Sequence, residues 1–420
     1  MYLWAQTLAL VLVVAVPAAT GAPALRHATY YVDSRAGNDA RSGRSPAEAW
    51  RSLARAESVG LHGGDRLLLR RGSSWPAGLT LASSGTPSRS IVVAPYGRGR
   101  PPLIHDGQTC VRVTGSFVRL TGIAVKNCAW AGVSLVGSFV RVDHARIGGA
   151  AAGIEVTTES RDDELVRNDL IGNDRMAVLT PTPTNDDSGA FGILLRGQRT
   201  LVTHNRIEGS DAFSYDYGRD GSAVEVYGGR DNVIVRNVAV DDHAFTELGN
   251  PQSFGNTYAY NLFVTRDPKA TFLVTRGAQD SYGPVRGTRV YNTTAVLTGA
   301  RSEGVVCYDG CGPGVLRMRN DVVVATADAL QADAPFDEAS DVFWGGIDGV
   351  RLGPRSVRAR PRFRNARARN FRLLPTSPAI DRGVSLGYSR DLVGTQVPLA
   401  GKHGRRAAPD AGCFEYRPAR

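Results

Sequence analysis

Short runs of alternating apolar and polar residues, separated by Gly, Ser, Asn and Asp, fill most of this chain. One set is Val111-Arg112-Val113, Val118-Arg119-Leu120 and Ile123-Ala124-Val125. The next is Val133-Ser134-Leu135, Val140-Arg141-Val142 and Ala145-Arg146-Ile147. The pentapeptide Gly-Ser-Phe-Val-Arg marks both sets, at Gly115–Arg119 and Gly137–Arg141, 22 residues apart. Alternation of period two suits half-buried strands, and the residues between suit turns. A fixed period marks stacked repeats. Three short strands per repeat predict one coil of a right-handed parallel β-helix, an all-β solenoid.

Counting on, first strands of coils are expected near Val111, Val133, Ile154, Ile193, Val224, Thr246, Leu273 and Val305. The longer gaps hold polar insertions at residues 160–190 and 210–220, which predict the walls of a cleft on one side. Asn recurs after the third strand of several coils, at Asn205, Asn237, Asn261, Asn292 and Asn320. An internal ladder bonding turn backbones from coil to coil is expected there, because Asn suits left-handed turns. Helical patterning is scarce, and its best stretch is Pro46–Glu57.

The chain of 420 residues divides into four expected parts. Residues 1–24, with the apolar Leu8–Val16 and the small-x-small Ala22-Pro23-Ala24, read as a secretory signal peptide. Residues 25–90 form a cap and first coil, 91–326 the helix core, and 327–420 the last coils and a closing segment. A secreted product with no membrane span in its mature part follows. Five cysteines suit export, with Cys307 and Cys311 spaced to close a tight loop and Cys110 and Cys128 within one coil. The net charge of +10 is carried almost wholly by Arg, the exceptions being Lys126, Lys269 and Lys402. A basic surface suits an acidic glycan, but scattered Arg without stacking aromatics excludes a nucleic-acid partner.

The opening segment, Tyr30-Tyr31-Val32-Asp33 through Gly64-Asp65-Arg66-Leu67-Leu68-Leu69 to Trp75, resembles the cap and first coil of secreted β-helix proteins of the pectate-lyase-like superfamily. The tail, with Ser377-Pro378-Ala379-Ile380-Asp381 and Pro409-Asp410-Ala411-Gly412-Cys413, resembles their closing segment. The resemblance implies a polysaccharide substrate and either lyase or hydrolase chemistry. It speaks for fold far more than for reaction.

The densest acidic patch joins Asp216, Asp220, Glu225, Asp241, Asp242, His243 and Glu247. Val224 and Val226 point inward, so Glu225 and Tyr227 point out. Glu225 and Glu247 are 22 residues apart, one repeat. They are expected on neighbouring rungs, roughly 4.8 Å apart. Two carboxylates at that distance repel, so one keeps a proton or a cation sits between them. The first outcome suits a retaining glycosidase, with Glu225 and Glu247 as acid and nucleophile and no cofactor. The second suits calcium. Asp220, Asp241 and Asp242 are then similar to the Asp and Asp-Asp ligands of calcium-dependent β-helix pectate lyases. A lyase also needs a base, for which Lys269, Arg276 and His243 are candidates. Tyr217, Tyr227, Tyr258 and Arg276 are candidate sugar contacts. A non-catalytic glycan-binding protein is the third expectation.

Overall fold

The computed structural model describes residues 27–418 except 77, 183 and 400–406. The expected signal peptide lies outside the described residues. The coils stack with three parallel faces. The expected first strands form one face, in which Val111, Val133, Ile154, Ile193 and Val224 are partners in register. Thr246, Leu273 and Val305 continue the row. The strands Val118–Thr121, Arg141–Asp143, Glu164–Val166 and their successors make the second face. Ala124–Lys126, Arg146–Gly148, Asp169–Ile171 and theirs make the third. The architecture is a right-handed parallel β-helix. Among the described residues its longest strand, Val322–Ala332, crosses two faces, pairing first with Thr294–Leu297 and then with Glu303–Tyr308.

Inward residues of successive coils form a continuous lumen core, with Leu120, Val133, Ile193, Val224, Leu248 and Leu273 fully buried. At the opening end, Trp50 lies inside this core and bridges to Val32. The expected helix is two short pieces, a 3-10 turn at Pro46–Glu48 and an α-helix at Leu53–Glu57. They are separated because Trp50 must stay extended to pair with Val32. The chain after Val357–Arg358 folds back along the outside of the solenoid. There Phe371, Leu392, Cys413 and Phe414 pack on Tyr260, Leu262, Val264 and Val296. The tail's acids bond its own backbone. Asp391 accepts amides from Val393, Thr395 and Glu415, and Asp410 accepts from Asp381. Cys110–Cys128 and Cys307–Cys311 are disulfides, and Cys413 is buried and free.

The Asn ladder exists, but one strand earlier than expected. It lies in the two-residue bend between the second and third faces. Asn168, Asn205, Asn237 and Asn261 stack there, each Oδ1 accepting the backbone N–H of the residue one coil before it. From Asn205 to Asn261 each Nδ2 donates to a carbonyl, Leu165, Val202 and Ile234 in turn. Asn292 and Asn320 are not members. They occupy the preceding left-handed position, with φ of 48° and 61°. The ladder positions in those coils are Thr293 and Asp321, followed by Asp341. Asp321 accepts the Thr293 amide and Asp341 accepts the Asp321 amide.

Removing one Asn therefore strands several buried groups at once. Asn237→Ala should destabilise the protein by about 1–3 kcal/mol per group left unpaired, read as a lowered urea midpoint with an unchanged slope. The two ladder acids behave differently. Burial pushes Asp321 well above the usual carboxylate range, and burial with the charge of Asp321 does so for Asp341. Their Oδ2 atoms have no partner among the described residues. The folded protein therefore keeps protons that the unfolded chain has lost above about pH 4. Stability falls as pH rises from there to the folded values and is flat beyond. Asp321→Asn/Asp341→Asn, which installs the residue used elsewhere in the ladder, should raise the melting temperature more at pH 8 than at pH 4.5.

Candidate active site

The strands of the first face carry two adjacent inward residues before resuming alternation. Ala223 and Val224 both point into the lumen, as do Phe245 with Thr246 and Phe272 with Leu273. Outward residues thus fall into three columns along the helix axis. The middle column runs Ser134, Glu155, Leu194, Glu225. Ser222 pairs with Ala244 and Val226 with Leu248, so the next member is Glu247, which in turn pairs with Val274. The column beside it runs Tyr227, Gly249, Arg276, Tyr308.

Glu225 and Glu247 therefore sit side by side across one rung, roughly 4.8 Å of strand spacing. Their surroundings differ. Glu225 accepts one bond from Ser222 Oγ at 2.7 Å. Burial, then the charge of Glu247, pushes its carboxyl well above the ordinary range. Glu247 Oε1 takes a charge-assisted bond from Arg276 Nη2 at 2.7 Å. Arg276 is itself buried, 8 % exposed in its side chain, and donates to the Tyr308 hydroxyl from Nε at 3.1 Å and Nη2 at 2.9 Å. The rings of Tyr282 and Tyr308 lie 5.6 and 5.5 Å from its guanidinium carbon. Although burial opposes the charge, Glu247 and Tyr308 hold Arg276 firmly cationic.

A cleft of about 650 Å³ opens over this pair. Its walls come from the insertions, as expected. Tyr217 and Asp220 arrive on the hairpin of Ala212–Ser214 and Gly218–Asp220. Asn185 and Asp186 come from the earlier insertion, and Asp280 to Tyr282 from a later loop that sequence reading passed over. The tips meet over the cleft. Tyr217 donates from its hydroxyl to Asn185 Oδ1 at 2.8 Å, and Tyr282 donates to Asn185 O at 2.9 Å. Burial and Glu247 lift the Asp220 carboxyl to about 7. The exposed ring of Tyr227 borders the cleft beside Gly249.

Three expectations fail here. Tyr258 is fully buried in the lumen, its hydroxyl 2.7 Å from Thr246 Oγ1, because position 258 pairs with inward Ile234 and Val290. It is a core residue and meets no ligand. Asp241 turns away and pairs with Arg369 of the tail at 2.6 Å. Asp242 is buried in the bend and accepts the Ser210 amide at 2.8 Å. Asp220, Asp241 and Asp242 thus form no common site for a cation.

Acidic groups do converge elsewhere among the described residues. Asp211, His243 and Asp267 approach one another, but Arg219 already binds Asp211 through Nε and Nη2, both at 2.6 Å, and reaches Asp267 at 3.5 Å. Burial opposes the Asp267 charge, yet His243 and the Lys269 amide hold its carboxyl at about 2. Arg219 thus already supplies positive charge to these two aspartates. In Asp186, Asp187 and Asp216, the last two carboxylates are spent on loop amides. His243 lines the cleft, whereas Lys269 is exposed and lines a smaller recess with Tyr217, Arg219 and Arg301.

Tyr308, missed by sequence reading, was reachable: it stands one coil after Arg276 in the same column, at the 32-residue offset that separates Leu273 from Val305. Asn185 and Tyr282 had no such signal, because insertion tips follow no register.

No protein-family model matches this chain, and no curated protein matches it. Solved structures do. Pectate lyase Pel9A aligns over 93 % of this chain and 96 % of its own, with TM-score 0.61 and 17 % identity. XylC in complex with xylose aligns over 92 % of this chain and 99 % of its own, with TM-score 0.55 and 8 % identity. At these identities the likeness is one of fold: the chain is a right-handed parallel β-helix.

Proposed function

We propose that this protein is a carbohydrate-active enzyme that hydrolyses glycosidic bonds of a neutral glycan with retention at the anomeric carbon. One observation carries the reading. Two glutamates on adjacent rungs of the cleft floor have different environments, one whose carboxyl burial pushes well above the ordinary range and one paired with a fixed cation. Such a difference assigns acid and base roles. The rung spacing is close to the roughly 5–5.5 Å between carboxyl groups in retaining glycosidases. Two disulfides fit the oxidising compartment of an exported protein.

Glu247, oriented by Arg276 and Tyr308, attacks the anomeric carbon. Glu225 gives its proton to the departing glycosidic oxygen, and the C–O bond breaks. The product is a glycosyl ester of Glu247. Glu225, now a carboxylate, takes a proton from an incoming water, which attacks the same carbon and frees Glu247. The second half returns both side chains to their starting states.

The lining charge argues against an uronate. Asp186, Asp187, Asp220, Glu225, Glu247 and Asp280 face three guanidinium groups, those of Arg196, Arg219 and Arg276. Glu225 is lifted well above the ordinary range and Asp220 to about 7, so Asp186, Asp187, Glu247 and Asp280 offset the three guanidinium groups and the lining holds no excess positive charge to attract an anionic polymer.

Glu225→Gln and Glu247→Gln should each lower reducing-end release by about 10²-fold or more, with melting temperatures near that of the parent. The assay is a panel of soluble plant, algal and bacterial glycans. Full activity in both variants, or products that absorb in the ultraviolet and vanish with chelator, would replace hydrolysis with elimination. Retention of a glycan without any product would leave only binding. The pH profile follows from Glu225. Activity requires its proton, so kcat/KM should hold into a range where an ordinary glutamate is fully ionised and fall as pH rises through the lifted value. An alkaline limb near the usual glutamate range would contradict the assignment.

A further inference from the structure

One rung from the acid pair, towards the N-terminus, apolar residues interrupt the outward columns. Leu194 stands between Glu155 and Glu225 in the middle column. Phe191 is its neighbour in the outer column, between Ala152 and Ser222. Both line the same cleft as the glutamates, and so does Trp130. These residues form an apolar cluster with Ala131 and Ala152 that is separate from the lumen core. The cause is local. Gly192 faces inward, where a Cβ would come within 2.5 Å of Ile207 Cγ2 and 2.6 Å of Ala223 O. With Gly192 and Ile193 both turned in, Phe191 and Leu194 both turn out.

The Trp130 ring is fixed in place. Its indole N–H donates to Glu155 Oε2 at 3.0 Å, which also accepts from Ser134 Oγ at 2.8 Å. Glu155 Oε1 faces Arg196 Nη1 at 3.4 Å. The Trp130 backbone is pinned by Gln108 O and by the Ala152 amide, and Cys128, two residues earlier, is in a disulfide. Glu155 is nearly buried, whereas the Arg196 side chain is 40 % exposed. A held indole, an apolar floor and a guanidinium at the edge suit a pyranose. The ring's C–H face packs on the apolar surface, and its hydroxyls meet the polar rim.

We propose that Phe191, Leu194 and Arg196, one rung from Glu225, together with the Trp130 ring reaching over them from a strand three rungs away, form a sugar-binding surface that takes the next units of a neutral glycan running along the helix axis. The inference rests on the reading of the cleft as a glycan site. A rung of roughly 4.8 Å is close to the length of one linked pyranose, so adjacent rungs receive adjacent sugars. The enzyme would therefore favour oligosaccharides over short glycosides, and Trp130 would set that preference.

The test measures binding by calorimetry in the Glu225→Gln protein, which does not consume its ligand. The probes are cellotetraose, xylotetraose, mannotetraose and N-acetylchitotetraose. At least one should bind, Trp130→Ala should weaken it tenfold or more, and Trp130→Phe should recover most of the loss. Arg196→Met, a change at an exposed side chain, should weaken it several-fold and covers the case in which the Ala variant misfolds. No binding by all four probes, or binding indifferent to both Trp130→Ala and Arg196→Met, overturns the proposal. Trp130-dependent binding by a protein that releases no reducing ends would leave the subsite standing and remove the hydrolase assignment.

Discussion

Each coil of this solenoid finds its backbone partners only in the coils above and below it. That constraint forces successive coils into register, and register turns a linear repeat into columns of side chains. The Asn ladder is one such column, from Asn168 to Asn261, holding the tightest bend of each coil. The middle column of the first face is another, and it places Glu225 beside Glu247. A slip of one residue would send both glutamates into the lumen.

The acid pair shows how the fold makes use of electrostatic repulsion. Two carboxylates across one rung cannot both ionise cheaply. The structure resolves the conflict asymmetrically. Arg276 and Tyr308, one column away, support Glu247, while Glu225 has one hydroxyl donor and a largely buried site. The same architecture handles another acid stack differently. Asp321 and Asp341 succeed each other in the ladder with no guanidinium bonded to either among the described residues, and their strain appears as dependence on protons. What distinguishes the candidate site from that pair is access: the first opens to a cleft, the second is sealed.

The insertions give the floor its chemistry. Without them the glutamates would face open solvent on a flat sheet. The tips of three loops, at Asn185, Tyr217 and Tyr282, bond to one another over the cleft. Phe191, Leu194 and the Trp130 ring extend the floor past the acids, so polar and apolar portions lie in sequence along one groove.

The alternating pattern and the 22-residue repeat of Gly-Ser-Phe-Val-Arg by themselves determined the solenoid, the starts of its first-face strands and the adjacency of Glu225 and Glu247, because all of these follow from backbone periodicity. The same logic misplaced Asn292 and Asn320 by one residue and set the ladder one strand late, since a two-residue bend leaves no mark in an apolar pattern. Only the tertiary structure decided what the outlying residues do. Asp241 is claimed by Arg369 from a tail more than a hundred residues on, Tyr258 is claimed by the lumen, and Asn185 and Tyr282 find each other across the cleft. Those contacts join segments that share no period, and no local pattern encodes where such segments meet.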